Sequence, residues 1–350
     1  PMIGKVKIRH LFLLAWLAAL STKAQVSSEN YVQTTERISD TQVLSTTEYY
    51  DGLGRPFEMV EQKKTPDGAN LIHLKEYDGL GRDWKTWLPV KDASDFLSIS
   101  AARSQGNNQY RDSHAFSLTE YDGSPLNRIN TVEGVGAEWT SHPLKKDYLV
   151  NTSKYPLNCK YYRVSMQGQL QDKGYYPEGR LYVTKTTDEN GNESYEFKNI
   201  AGNVILKRTI CSIDEAADTY YIYDYRGNLA FVLPPNYQEE PSLDLYAYQY
   251  KYDGQGNCTW KKLPGCEPIY MKYDLSGRMT YLQDGNLRKK GLWEFCVYDK
   301  LGRLAVQGTT ASISDVSKIH VYALYTGAGI LDGYQLNGTT ITAKSLLITN

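Results

Sequence analysis

Tyr50-Asp51-Gly52-Leu53-Gly54-Arg55 recurs unchanged as Tyr77-Asp78-Gly79-Leu80-Gly81-Arg82. Four variants follow: Tyr223-Asp224-Tyr225-Arg226-Gly227-Asn228, Tyr252-Asp253-Gly254-Gln255-Gly256-Asn257, Tyr273-Asp274-Leu275-Ser276-Gly277-Arg278 and Tyr298-Asp299-Lys300-Leu301-Gly302-Arg303. Chance would supply on the order of 0.01–0.1 copies of Tyr-Asp-x-x-Gly-(Arg/Asn), so the chain is a repeat protein. Each copy follows a stretch rich in Tyr, Thr, Val or Ile, and strand-like runs resume after it at Phe57–Val60, Leu229–Leu233 and Met279–Leu282. Asp supplies a side-chain acceptor for its own turn, and Gly supplies positive φ without a Cβ clash. Strand, Asp-Gly-type turn, strand reads as a β-hairpin. The Tyr ring is expected to pack while its hydroxyl stays in water. An Asp–Arg pair repeated at every turn reads as structure rather than as a catalytic pair.

Outward from these phrases, residues 1–24 read as an export signal. Lys5, Lys7, Arg9 and His10 precede the apolar run Leu11–Leu20, which is too short to span a bilayer. Thr22-Lys23-Ala24 places small residues where a signal peptidase reads, with cleavage expected between Ala24 and Gln25. No Cys follows the run to support a lipid anchor, and no later stretch reads as transmembrane. Residues 25–150 form a first β region with two repeats 27 residues apart, separated by a second turn signal, Thr65-Pro66-Asp67-Gly68. A short helical insertion is expected near 92–105, capped by Asp92 or Ser94 and ended by Gly106-Asn107-Asn108. Tyr121-Asp122 opens a degenerate copy in which Pro125 forces the turn to open. Gly134-Val135-Gly136 lacks the full nucleotide-loop pattern and reads as a turn.

Residues 151–308 read as the main hairpin array. Asp188-Glu189-Asn190-Gly191-Asn192 is a turn signal, and Lys198-Asn199-Ile200-Ala201-Gly202-Asn203 holds the repeat position with Lys in place of Tyr. From there the repeats fall 21 to 29 residues apart. Residues 309–350 begin a further β region. Pro1 ahead of Met2, and strand-like Ser345–Asn350 at the other end, lead to the expectation of the N-terminal part of a longer protein.

Composition narrows the function. The 350 residues carry a net charge of −1 with the signs well mixed, which argues against a nucleic-acid or anionic-membrane surface. Tyr outnumbers Phe by 30 to 7, which suits a thin sheet wet on at least one face. The five cysteines have no metal spacing. Cys258 and Cys266 are the pair a disulfide would join across a hairpin turned by Pro264-Gly265; the competing reading is five buried free thiols. His73, His114, His142 and His320 form no His-Glu-x-x-His pattern, and neither a serine elbow nor a phosphate loop is present. No enzyme and no cofactor are expected; a secreted glycosidase built on scattered carboxylates is the remote catalytic alternative.

The repeat phrase resembles the YD repeat of the Rhs family. Tyr220-Tyr221-Ile222-Tyr223-Asp224 with Val232-Leu233-Pro234-Pro235, and Lys262-Leu263-Pro264-Gly265 with Glu267-Pro268-Ile269-Tyr270, resemble exported Rhs-repeat proteins of Bacteroidetes. Similar repeats occur in the shell subunits of insecticidal toxin complexes and in teneurins. The resemblance runs from about Asn30 to about Gly308. It implies an all-β chain whose repeated antiparallel hairpins form a curved, spiralling sheet or part of a hollow shell. About eight hairpins at roughly 4.8 Å per strand give a sheet about 75 Å wide, an arc rather than a closed vessel. It further implies an exported, non-catalytic shell segment around a C-terminal cargo outside this chain, a toxin used between bacteria. The self-cleaving Asp core of some Rhs proteins is absent from the sequence, so no catalytic residue carries over. The alternative is a surface adhesin holding a glycan or protein ligand on Trp84, Trp87, Trp139, Trp260 or Trp293.

Overall fold

Strand-forming periodicity is plainest in Asn70–Tyr77, where Asn70, Ile72, Leu74 and Glu76 are buried and the residues between them are not. The computed structural model describes residues 29–39, 43–213, 215–299, 301–311, 313, 321–325, 331–336 and 339–342. The expected signal and its Ala24–Gln25 cleavage site lie outside the described residues, as does much of the chain beyond 311. Two units are distinguished: one up to Asp147 together with Thr186–Glu193, the other Tyr148–Lys185 together with Ser194 onward.

The first unit contains β1 (Asn30–Arg37), β2 (Val43–Tyr50), β3 (Pro56–Glu61), β4 (Asn70–Tyr77), β5 (Asp83–Trp87), β6 (Val90–Asp92), α1 (Ile99–Tyr110), β7 (Phe116–Tyr121) and β8 (Ile129–Glu133), with β9 starting at Leu144. β1 to β4 pair in succession, all antiparallel. β4 then pairs through its first half with β6 and through its second half with β5, and β5 continues to β7 and β8. The core is Tyr49, Phe57, Val60, Ile72, Leu74, Trp87, Ala102, Ala115 and Phe116. Burying side chains the size of Val60, Ile72 and Leu74 stabilises by about 1.5–3 kcal/mol each.

The helical insertion is present but displaced. Ser98, not Asp92 or Ser94, caps α1, its Oγ accepting from Ala101 N at 3.3 Å. Residues 94–97 are instead spent as a strap on the sheet. Asn70 Nδ2 donates to Ser94 O, Tyr49 Oη donates to Asp95 O, and Leu97 N donates to Glu58 Oε1. The helix continues through Gly106-Asn107-Asn108 to a left-handed Arg111. Gly106 is needed there for approach: a Cβ would stand 3.3 Å from Trp87 Cε3. The Gly134 segment turns as expected, with Gly136 at φ 109° leading into a 3-10 turn, Ala137–Ser141.

The second unit carries a separate hairpin, β10 (Lys160–Val164) with β11 (Leu170–Tyr175), then β12 (Tyr182–Thr187), which begins in this unit. Ten strands follow: β13 (Glu193–Lys198), β14 (Val204–Ser212), β15 (Glu215–Tyr223), β16 (Leu229–Leu233), β17 (Tyr248–Tyr252), β18 (Cys258–Lys262), β19 (Ile269–Tyr273), β20 (Met279–Gln283), β21 (Trp293–Tyr298) and β22 (Leu304–Thr310). Each pairs antiparallel with the next. Short helices Pro235–Glu239 and Gly285–Lys289 bridge strands on the opposite side from the repeat turns. Phe197, Leu206, Tyr220, Ile222 and Leu233 centre its core, onto which Tyr162, Val164 and Leu170 of the β10–β11 hairpin pack. A last three-stranded sheet comprises Val321–Tyr325, Leu331–Leu336 and Thr339–Thr342. Among the described residues the chain is all-β apart from α1, these two short helices and the 3-10 turn, as the repeats imply.

Candidate functional site

The chemistry that recurs in this molecule is that of its turns. Asp51 N donates to Arg55 O and Gly54 N donates to Asp51 O, both at 2.9 Å. This is a type I turn followed by a left-handed Gly, φ 77° at Gly54, which forms a bulge. The register shows the bulge directly: Tyr49 faces Glu58, while Tyr50 faces Pro56. Asp51 Oδ1 accepts from Leu53 N and Arg55 N, and Oδ2 accepts from Arg55 Nε at 2.7 Å. The Arg55 backbone N–H, and after it the guanidinium, hold the Asp51 carboxyl below the usual carboxylate range.

Asp78, Asp274 and Asp299 repeat these bonds with Arg82, Arg278 and Arg303. In the two asparagine copies an amide replaces the guanidinium, Asn228 Nδ2 bonding Asp224 Oδ2 and Asn257 Nδ2 bonding Asp253 Oδ2. Two turns read from the sequence without the Tyr-Asp pair, and one the sequence did not flag at Ser165, have the same closure. Asp188–Asn192, Asn199–Asn203 and Ser165–Gln169 close with the same two backbone bonds. The Asp122 turn opens as Pro125 requires. It is two residues longer, Asn127 takes the left-handed position at φ 53°, and Arg128 Nε still reaches Asp122 Oδ2 at 2.7 Å.

Neighbouring turns of a unit are stitched into a seam. Five of the Tyr hydroxyls donate to the carbonyl of the residue just after the Arg or Asn of the preceding repeat, whereas Tyr50 donates to Glu48 Oε2. Tyr77 reaches Pro56 O at 2.6 Å, Tyr121 reaches Asp83 O at 2.9 Å, Tyr252 reaches Leu229 O at 2.9 Å, Tyr273 reaches Cys258 O at 3.0 Å and Tyr298 reaches Met279 O at 2.9 Å. Burial pushes the Tyr252 phenol up to about 12. The guanidinium of one repeat also covers the ring of the next: Arg55 lies 4.5 Å from the Tyr77 centroid, Arg82 4.4 Å from Tyr121 and Arg278 4.9 Å from Tyr298. The Asp, the Arg or Asn, and five of the Tyr hydroxyls of the repeated phrase are thus committed to closing turns and holding hairpins together.

The other expected sites fare differently. The Cys258–Cys266 pairing is corrected by register. Trp260 faces Tyr270 and Lys261 faces Ile269, so Cys258 sits at the far end of β18 while Cys266 lies in the connecting turn. All five cysteines are free; Cys159 and Cys296 are buried, Cys258 is half-buried, and Cys211 and Cys266 are exposed. Of the tryptophans, Trp87 is 6 % exposed, its Nε1 bonded to Oε1 of the buried Glu76, which the exposed Arg103 also holds, so it cannot stack on a ligand. Lys85, Lys251 and Lys272 lie over Trp84, Trp260 and Trp293. Trp139 is 48 % exposed. No His/Cys/Asp/Glu cluster among the described residues has metal-binding geometry, and no described helix is long and apolar enough to cross a membrane. A cleft of about 550 Å³ opens in the second unit between the β10–β11 hairpin and β15, lined by Tyr161, Tyr176, Tyr223, Arg163, Lys173 and Asn199 among others.

A family model described as a domain of unknown function, DUF6443, matches residues 21–151. No curated protein matches the chain. Among the solved structures similar to it are a crystal structure of TcdB2-TccC3 and the Tc holotoxin pore of Photorhabdus luminescens carrying a TccC3 variant. Each is 15 % identical over 85 % of this chain, with TM-scores of 0.52 and 0.55. The chain spans 14 % of the length of either solved chain. At that identity the likeness is one of fold.

Proposed function

We propose that this chain is a non-catalytic wall segment of an exported Rhs-type protein, which encloses or presents a cargo carried C-terminally on the same polypeptide, a toxin used between bacteria. The observation that carries this reading is the seam. The same turn bonds, the same Tyr-to-carbonyl bond and the same Arg-over-Tyr contact recur along successive hairpins. Such a device propagates a sheet one hairpin at a time and leaves no reactive group over. The likeness of fold to Tc toxin structures supports the same reading. The test is negative-stain imaging and limited proteolysis of the natural full-length product. A hollow particle that shields a C-terminal segment until the wall is opened is the expected result. A C-terminal segment cleaved as fast in the particle as when isolated refutes it.

A second reading, a binding module, is favoured by the tyrosine-lined cleft beneath the β10–β11 hairpin, whose size is that of a small-ligand site. Glycan-array binding lost on Tyr161→Ala, with the melting temperature unchanged, would select it; an array blank for the intact protein removes it.

A further inference from the structure

The β10–β11 hairpin is a two-stranded sheet of its own, so β10 has one paired edge and one open edge. Its turn settles which groups the open edge carries. Ser165 N donates to Gln169 O at 2.9 Å and closes the hairpin. From there, opposed pairs of an antiparallel ladder alternate between non-bonded and bonded. Val164 with Leu170 is therefore non-bonded, Arg163 with Gln171 bonded and Tyr162 with Asp172 non-bonded. The N–H and C=O of Tyr162 and of Val164 thus point away from β11, and none of these four groups has a partner among the described residues. All five residues of β10 line the cleft of about 550 Å³, against two of β11, so the cleft lies on the open side of β10. The seam is interrupted on the opposite wall. Tyr252, Tyr273 and Tyr298 each donate to a carbonyl one repeat back, whereas the Tyr223 hydroxyl, which lines the cleft, makes no such bond.

We propose that this edge receives an extended acidic peptide of a partner protein, which adds as a third strand beside β10. The proposal rests on the reading of this cleft as a binding site and names its occupant. Two observations select an acidic peptide. The first is the backbone. Unpaired donors and acceptors that alternate along a strand edge are a template for another strand, and a peptide supplies both complements at the same spacing. Five residues of added strand span roughly 17 Å, the length of β10 itself.

The second is charge. Residues 160–175 hold three bases, Lys160, Arg163 and Lys173, and one acid, Asp172, in a chain of net charge −1. Arg163 faces Gln171 and Lys173 stands two residues further along β11, so both bases share one face of the hairpin. Neither has an ion-pair partner among the described residues. Asp172 shares the other face with Tyr162 and accepts from Gly174 N at 2.8 Å. Asp224, the acid on the cleft wall, is spent on Arg226 N, Asn228 N and Asn228 Nδ2. A carboxylate at every second residue of the added strand stands on the side of Arg163 and Lys173, and the residues between stand on the side of Tyr162 and Val164. The longer stretches outside the described residues, 1–28, 314–320 and 343–350, contain one acid between them, Asp315, so a partner supplies the charge.

The experiment is amide hydrogen exchange of the full chain with and without a synthetic peptide alternating glutamate and valine, its affinity read by fluorescence anisotropy. In the unbound protein the Tyr162 and Val164 amides exchange fast and the Arg163 amide slowly; bound peptide slows Tyr162 and Val164 at least about tenfold. Methylating alternate amides of the peptide weakens binding at least about tenfold for one set and less than about threefold for the other, because one edge of the added strand meets β10. Arg163→Glu weakens binding at least about tenfold and leaves the melting temperature in place, because the side chain is exposed. Exchange at Tyr162 and Val164 unchanged by bound peptide, equal losses from both methylated sets, or affinity unchanged in Arg163→Glu overturns the proposal. Binding of oligogalacturonate in place of the peptide, lost on Tyr161→Ala, also overturns it while the cleft stays a binding site; failure of peptide and sugar alike removes both readings.

Discussion

The guanidinium carbon of Arg278 lies 4.9 Å from the ring centroid of Tyr298, one repeat further on, while its Nε holds Asp274 Oδ2 at 2.7 Å. One side chain therefore ties its own turn and covers the ring whose hydroxyl bonds Met279 O. Tyr298→Phe leaves that carbonyl unpaired and is expected to cost about 1 kcal/mol. Arg278→Lys loses the planar fork and is expected to cost a similar amount. Because the two groups touch, the double variant costs less than the two single changes combined, by about 0.5–1 kcal/mol. Urea midpoints of the four proteins measure this, and strict additivity would remove the stack as a stabilising contact.

Gly54 and Gly81 separate two demands on the repeat glycine. Both have positive φ, 77° and 81°. A Cβ on Gly54 meets open space, whereas one on Gly81 falls 2.6 Å from Arg55 Nη1. Gly54→Ala is expected to cost about 1–2 kcal/mol in backbone strain alone. Gly81→Ala adds the displacement of Arg55 from the Tyr77 ring, a further ~0.5–1 kcal/mol. Equal losses in thermal denaturation would show that the arginine relocates freely.

What could be read in the sequence follows from the range of each interaction. Asp and Gly act within five residues, so the turns fell where the phrase placed them, and Pro125 opened the Asp122 turn as its missing N–H demands. The tyrosine's partner was not legible. It sits 19 residues upstream for Tyr298 and 23 for Tyr252, at a carbonyl whose position depends on how consecutive hairpins register. The helix start shifted for a similar reason: bonds from Tyr49 and Asn70, and to Glu58, claim residues 94–97. Trp87 looked available because nothing local reveals that it packs in the core with Phe116 and Ala102 and bonds Glu76.

Glu58 lowers stability as pH rises from acid to neutral. It is 1 % exposed, its Oε1 accepts from Leu97 N, and burial pushes its carboxyl up to about 7. A folded pKa above the unfolded one means the protonated form is favoured by folding. The contribution is full below about pH 4.5 and is lost as pH rises through about 7, by at most about 3 kcal/mol. Asp51 acts in the opposite sense: its depressed pKa supplies stability at neutral pH that disappears as pH falls through the folded value. Stability is therefore expected to peak in mildly acidic solution. In Glu58→Gln the decline between pH 5 and 8 should flatten; an unchanged profile assigns that decline to another group.

Arg208 is the buried charge on which the second unit's 156–158 segment depends. It is 6 % exposed, forks onto Asp218 through Nε and Nη2 at 2.7 and 2.6 Å, and uses Nη1 to hold Pro156 O, Asn158 O and Asn158 Oδ1. Removing one partner of such a pair strands the other in low dielectric, so Arg208→Met is expected to cost about 3–5 kcal/mol. Replacing both partners, Arg208→Met with Asp218→Leu, removes the stranded carboxylate and should recover part of that loss. Recovery stays incomplete, because the carbonyls of Pro156 and Asn158 lose their donor at about 1 kcal/mol each. Hydrogen exchange at residues 156–160 distinguishes the two contributions: it should remain fast in the double variant even where global stability returns. Protection there equal to wild type would show that the segment is held by its packing on the core and not by Arg208.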